Sequence, residues 1–152
     1  MATRARRRFI SVLAGLAAAP LWPARAARAQ ADPFAPLVRK ITGGAAVNPG
    51  RVSVDTPRLA DNGHSVPFKV SVVSPMTASD HVRSITLLSE RNPRPVMATY
   101  RLGPRAGRAE VATRVRLNGS QRVLVIAQLS DGSFWSGSAE VEVTESACLD
   151  AT

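Results

Sequence analysis

Cys148 is the one thiol in a chain of 152 residues. A lone cysteine can build no internal disulfide, so the sulfur is left to pair between molecules or to react as a free thiol. Its neighbours do not activate it. Glu145, Asp150 and the terminal carboxylate all disfavour the thiolate, because like charges raise the pKa of an acid. Such a thiol depends on a partner to deprotonate it or to deliver an electrophilic sulfur. That behaviour fits a covalent carrier better than a catalyst. The segment 145–152 reads as a short tail beyond the last strand pattern, where a thiol could enter another protein's active site. The bland alternative, a cysteine with no role, stays open on these residues alone. Prenylation does not fit, since Cys148 stands fifth from the end and not fourth.

The remaining side chains offer little chemistry. His64 and His81 are the only histidines, and neither falls in an HxH or HExxH pattern, so the metal case is weak. Asp80-His81 is adjacent in sequence but has no nucleophile assigned to it. No glycine-rich phosphate loop follows a strand. The expectation is therefore no catalytic residue, no metal site and no cofactor. Arg101, Arg105, Arg108, Arg114 and Arg116 form a basic stretch over two adjoining strands, with Arg114 and Arg116 on one strand face. That face suits an acidic partner or an anionic substrate. It equally suits a solvated sheet face balanced by Glu110. Stacking aromatics do not accompany the arginines, which disfavours nucleic acid.

The elements that must position these groups are short strands. Phe34–Ile41 forms one or two helical turns that Gly43-Gly44 stops. Beyond Pro49-Gly50 the apolar residues recur with period two: Val52 and Val54; Val66, Phe68, Val70 and Val72; Ile85 and Leu87; Val96–Tyr100. Val111, Val115 and Leu117 follow, then Val123, Val125 and Ala127, then Phe134-Trp135, then Val141 and Val143. Seven or eight strands result. Asn118-Gly119 and Asp131-Gly132 are the strongest hairpin signals, because Asn or Asp before Gly accepts the positive φ of a type I′ turn. Strands 8–12 residues apart, without helices between them, predict an all-β fold: an immunoglobulin-like antiparallel β-sandwich with a short N-terminal helix. Residues 30–144 would form it.

Charge places the chain in a compartment. Twenty Lys+Arg oppose 11 Asp+Glu, a formal +9. Six of the arginines lie in residues 1–29 with no acid, which leaves 14 against 11 for the remainder. Arg6-Arg7-Arg8 precedes the apolar run Phe9–Leu21, and small-residue triplets such as Ala27-Arg28-Ala29 follow it. A basic region, a short apolar region and an A-x-A site make an export signal. The run is 13 residues, short of the roughly 20 that span a bilayer. Paired arginines before Phe9-Ile10 and an Ala-rich core point to the twin-arginine route; a Sec-type signal is the alternative. With no cysteine near the cleavage site, no lipid anchor is expected. Residues 1–29 thus read as a twin-arginine-type signal peptide, and the protein as soluble and periplasmic. At this length, enzymes with large cofactor domains are excluded.

The sequence resembles the Y subunit of the SoxYZ sulfur carrier of thiosulfate-oxidising bacteria. The resemblance rests on Asn62-Gly63 with Val66-Pro67, and on Ser74-Pro75-Met76-Thr77 running into Asp80-His81-Val82-Arg83-Ser84-Ile85. It continues through Arg91-Asn92-Pro93, Gly103–Ala109, Thr113–Leu117 and Ser130–Trp135. The leader and Cys148 then occur in the expected order. The resemblance implies an immunoglobulin-like sandwich paired with a SoxZ-type β-sandwich subunit, in which the near-terminal cysteine carries pathway intermediates. In that family a c-type cytochrome complex joins thiosulfate oxidatively to the thiol, and a di-manganese hydrolase releases sulfate. The subunit itself catalyses nothing. By that match Cys148 is the site of covalent sulfur attachment. The family's tail is typically Gly-Gly-Cys-Gly-Gly, whereas here it reads Glu145-Ser146-Ala147-Cys148-Leu149-Asp150.

Two functions of different classes follow. The leading one is a non-enzymatic periplasmic sulfur carrier with Cys148 as attachment point. The other is an immunoglobulin-like periplasmic adaptor whose sheet face binds a redox enzyme.

Overall fold

A computed structural model describes residues 32–146. The signal segment 1–29 and the sulfur-bearing part of the tail, Cys148 included, lie outside the described residues. The described chain runs through helix α1 (Ala35–Thr42) and strands β1 (Val47–Pro49), β2 (Val52–Asp55), β3 (Leu59–Asn62), β4 (Val66–Val72) and β5 (Val82–Ser89). It continues through β6 (Val96–Arg101), a 3₁₀ turn (Pro104–Ala106), β7 (Glu110–Val115), β8 (Gln121–Leu129) and β9 (Phe134–Glu145).

Two sheets form the sandwich. One has the order β1-β9-β8-β5-β6, with β3 also paired to β9; the other has the order β2-β4-β7. Alternation decides which faces meet. In β4, Val66, Phe68, Val70 and Val72 are buried while Pro67 and Lys69 are exposed. They pack on Ile85, Leu87, Val123, Val125, Ala127 and Leu129 of the larger sheet. That is the period-two pattern of a half-buried strand.

The larger sheet is covered on its second face as well. Phe34, Leu88, Ile126 and Phe134 form a separate buried cluster with Leu37, Val38 and Ile41 of α1 against them. This explains the unbroken apolar runs in β5 and β8, whose residues are buried to both sides. The helix is placed from both ends. The Asp32 carboxylate accepts the Phe34 N–H at 3.2 Å and pairs with Arg122. Arg122 also lies over the Phe34 ring, 4.9 Å from its centroid. At the other end Gly43 takes the left-handed conformation (φ 65°) that closes a helix.

The sandwich with one short helix is the expected fold, with three differences of detail. First, β1 and β3 run parallel to β9, although the remaining ladders are antiparallel. Strand β9 has 12 residues, enough edge for two visitors. The chain pairs along it as β1, leaves for the smaller sheet as β2, and returns as β3. At the crossing, Gly137 lies so close under the Val52 carbonyl that a Cβ there would run into it. Second, Phe134-Trp135 and Val141–Val143 belong to this one long strand. Third, the two Asx-Gly signals do different things. Asp131-Gly132 does close the β8–β9 hairpin, with the Leu129 N–H donating to Ser133 O at 2.9 Å. Only Gly132 of the pair has positive φ, so the turn is the three-residue kind with a glycine bulge, not type I′. The Asp131 carboxyl is held below its ordinary pKa, chiefly by hydrogen bonds from Ser133 and further by Arg51. Asn118-Gly119 joins no hairpin: β7 and β8 lie in different sheets, and it is a crossover.

Candidate functional site

The described chain reaches its last residues at one end of the sandwich, and that end is the root from which the Cys148 segment departs. Two loops hold it, the β3–β4 turn and the β7–β8 crossover. Asn62 pairs in register with Glu145, and the Gly63 N–H donates to the Glu145 carbonyl at 2.8 Å. From the other side the Ser120 hydroxyl accepts the Val143 N–H at 2.9 Å. Gly119, at φ 79°, brings the chain beside Ser146: a Cβ on Gly119 would stand 3.0 Å from the Ser146 hydroxyl.

Behind this root lies a polar network. Gln121 is 6% exposed, and a buried amide must have its donors and acceptors met. Its Oε1 accepts the Arg91 N–H at 2.9 Å. Its Nε2 donates to Gly119 O and to Asn92 Oδ1, each at 3.2 Å. Asn92 in turn accepts the Asn118 N–H at 2.9 Å and donates to the Arg116 carbonyl at 2.7 Å. The β5–β6 loop and the β7–β8 crossover are thus tied together directly under the tail root.

Arginines surround it. Arg91 donates to Ser120 O at 3.1 Å. Arg114 is pinned on Ser65, donating to its hydroxyl at 2.6 Å and to its carbonyl at 3.1 Å. Arg114 and Arg116, together with Arg94, line a groove of about 350 Å³ between β6 and β7. The basic stretch expected from sequence is therefore divided. Its two strands lie in different sheets and do not adjoin as hydrogen-bonded neighbours. Arg101 faces a different, smaller recess over the outer sheet face, and Arg105 lies in the 3₁₀ turn. Glu110 does not balance the arginines, since it pairs with Lys69 at 3.0 Å. Arg94 went unread in the sequence because only the topology carries its loop across to β7.

The two histidines lie in separate loops, His64 in the turn that follows Gly63 and His81 at the entry to β5. The His64 N–H donates to Asn62 Oδ1 at 3.2 Å, in an exposed turn. His81 donates from Nδ1 to Thr77 O at 3.1 Å, within its own loop, and its ring meets no carboxylate there. Among the described residues no three His, Cys, Asp or Glu side chains come together as a metal-holding group. Cys148, the expected attachment point, lies two residues past Ser146 and outside the described residues.

A family model described as sulfur oxidation protein SoxY matches residues 38–148. The chain belongs to the SoxY family. The match covers nearly all of the described sandwich and runs through Cys148. Among solved structures, the sulfur carrier protein SoxY from Chlorobium limicola f thiosulfatophilum superposes with a TM-score of 0.63 at 23% identity, covering 76% of this chain and 99% of that one. The superoxide reductase (neelaredoxin) from Ignicoccus hospitalis gives 0.56 at 19% identity, covering 62% of this chain and 80% of that one. A putative superoxide reductase from Thermotoga maritima gives 0.54 at 20%, covering 66% and 89%. At these identities the likenesses show that the SoxY sandwich and the reductase sandwich share a fold. No curated protein matches the chain in sequence.

Proposed function

We propose that this SoxY-family chain is a sulfur carrier, and that Cys148 holds the sulfur. The observation that carries the reading is the family match, which extends through the only thiol in the chain. The structure adds support of a different kind: the last strand is held by hydrogen bonds up to Glu145, three residues before the thiol in the sequence. Loading would join the Cys148 thiol to the sulfane sulfur of thiosulfate. The S–H bond breaks, an S–S bond forms, one proton leaves, and two electrons pass to a c-type cytochrome acceptor. Hydrolysis of the outer S–S bond then releases sulfate and a proton and leaves a persulfide on Cys148. Both steps belong to partner enzymes, and the carrier supplies only the sulfur atom. A SoxZ-type β-sandwich subunit is the proposed constitutive partner. The arginine leader supports export to the periplasm by the twin-arginine route.

Intact mass spectrometry of the protein from its own periplasm, during growth on thiosulfate, tests the reading. The expected result is thiosulfonate and persulfide adducts that a reductant removes and that Cys148→Ser cannot form. A plain thiol or a simple disulfide dimer under those conditions overturns it and leaves the adaptor reading. Co-purification of a small β-sandwich subunit supports the heterodimer, and an isolated stable monomer counts against it.

A further inference from the structure

The groove beside the tail root has a shape, a charge and an address. Strands β6 and β7 are the edge strands of their respective sheets, so the groove between them lies on the open side of the sandwich, where main-chain groups of both edges await partners. Unpaired edges of this kind accept an added strand. Its apolar lining is Met97, Ala98, Tyr100, Val115 and Val96, the last 42% exposed. Its charged lining is Arg94, Arg114 and Arg116, and no Asp or Glu lines it. Among the described residues, none of the three arginines makes an ion pair. Arg114 is already held by Ser65, so little ordering remains to be done when an anion arrives.

The address follows from Asn92. This residue lines the groove and is also the hub of the network under Ser146. Groove and tail root are two sides of one rigid loop cluster. Cys148 lies two residues beyond Ser146, a reach of about 7 Å along extended chain. An enzyme that receives so short an arm must bring its entrance close to the root, and its flank then covers the groove.

The geometry points to the β6–β7 groove as the docking surface for an extended acidic segment of the enzymes that accept the Cys148-bound sulfur. The segment adds to the sheet edge, its acidic side chains meeting Arg94, Arg114 and Arg116 and its apolar ones meeting Met97 and Tyr100. This rests on the carrier reading for its purpose but not for its chemistry. Electrostatic docking of this kind speeds encounter and releases readily, which suits a carrier that visits several enzymes in turn.

The test uses the isotope-labelled protein in the complex in which it purifies. The probe is a capped ten-residue peptide of alternating Glu and Val, with the Lys-Val peptide as control. The expected result is amide shift changes confined to residues 94–101 and 111–116, given by the acidic peptide alone. The affinity should fall at least about tenfold in Arg94→Glu/Arg116→Glu and on raising salt from 50 to 300 mM. Both side chains are exposed, and only the main-chain carbonyl of Arg116 serves the network, so the variant should keep the wild-type unfolding midpoint. Arg94→Gln/Arg116→Gln provides a milder second variant that should give an intermediate loss. Absence of shifts, shifts elsewhere, or a groove already covered by a co-purified subunit overturns the proposal. The carrier reading is scored separately by the Cys148 adduct mass: adducts without peptide binding remove the groove alone, and peptide binding without adducts removes the carrier alone.

Discussion

Gln121 shows how much of the tail root depends on single amides. It is buried at the start of β8, and its two amide atoms serve Arg91, Gly119 and Asn92. Removing Asn92 Oδ1 leaves the Asn118 N–H and one of the two Gln121 Nε2 hydrogens without a partner, and removing Nδ2 frees the Arg116 carbonyl. An orphaned buried polar group costs about 1–3 kcal/mol. Asn92→Ala should therefore lower the unfolding free energy by about that amount, read as a lower urea midpoint with an unchanged slope. Asn92→Asp restores the acceptor but not the donor, and should recover part of the loss. A midpoint within error of wild type for Asn92→Ala would mean that the loops are held elsewhere. None of this was legible in the sequence. Asn92 and Gln121 are 29 positions apart, and nothing in the sequence links them until the fold brings them together. Cys148 could be singled out for the opposite reason: counting one residue type needs no geometry.

At the scale of elements, the strands that pack on one face declared themselves and the strands that only borrow an edge did not. Val66 to Val72 alternates because one side meets the core, and that alternation is in the sequence. Strand β1 has three residues and β3 has four, too few for a period, and their pairing with β9 rests on backbone that any sequence supplies. The same limit misread Asn118-Gly119. A positive-φ glycine marks a reversal of the chain, but whether the reversal returns to the same sheet is set by the whole topology. Gly137 carries a sharper consequence. It allows β2 to cross β9, and the obstacle to any side chain there is the Val52 main chain, which cannot rotate away. Overpacking of this kind costs about 1–3 kcal/mol. Gly137→Ala should reach that range in urea unfolding, whereas Gly103→Ala, in open space with ordinary φ, should change stability by less than about 0.5 kcal/mol.

For the molecule as a whole, the proposed carrier function would sit on a different length of chain from the one that builds the described core. The two buried clusters and the hydrophobics packed against them run from Phe34 to Val143. The last registered strand pair is Asn62 with Glu145. Among the described residues, the pairings that close the sandwich are in place by that residue, and the only thiol comes after it in the sequence. Ending the chain at Ser146 should then leave the unfolding free energy within about 0.5 kcal/mol of wild type, while the thiol titre and every sulfur adduct fall to zero. The comparison with Cys148→Ser sharpens the result, because that variant keeps the tail and loses only the sulfur. Equal stability for both, with equal loss of loading, places all of the function in the tail and all of the fold before it. A truncation that costs more than about 1 kcal/mol when Cys148→Ser does not would show that residues 147–152 also brace the arginine-lined end. Docking and delivery would then be coupled, since a tail drawn into an enzyme would release its own root.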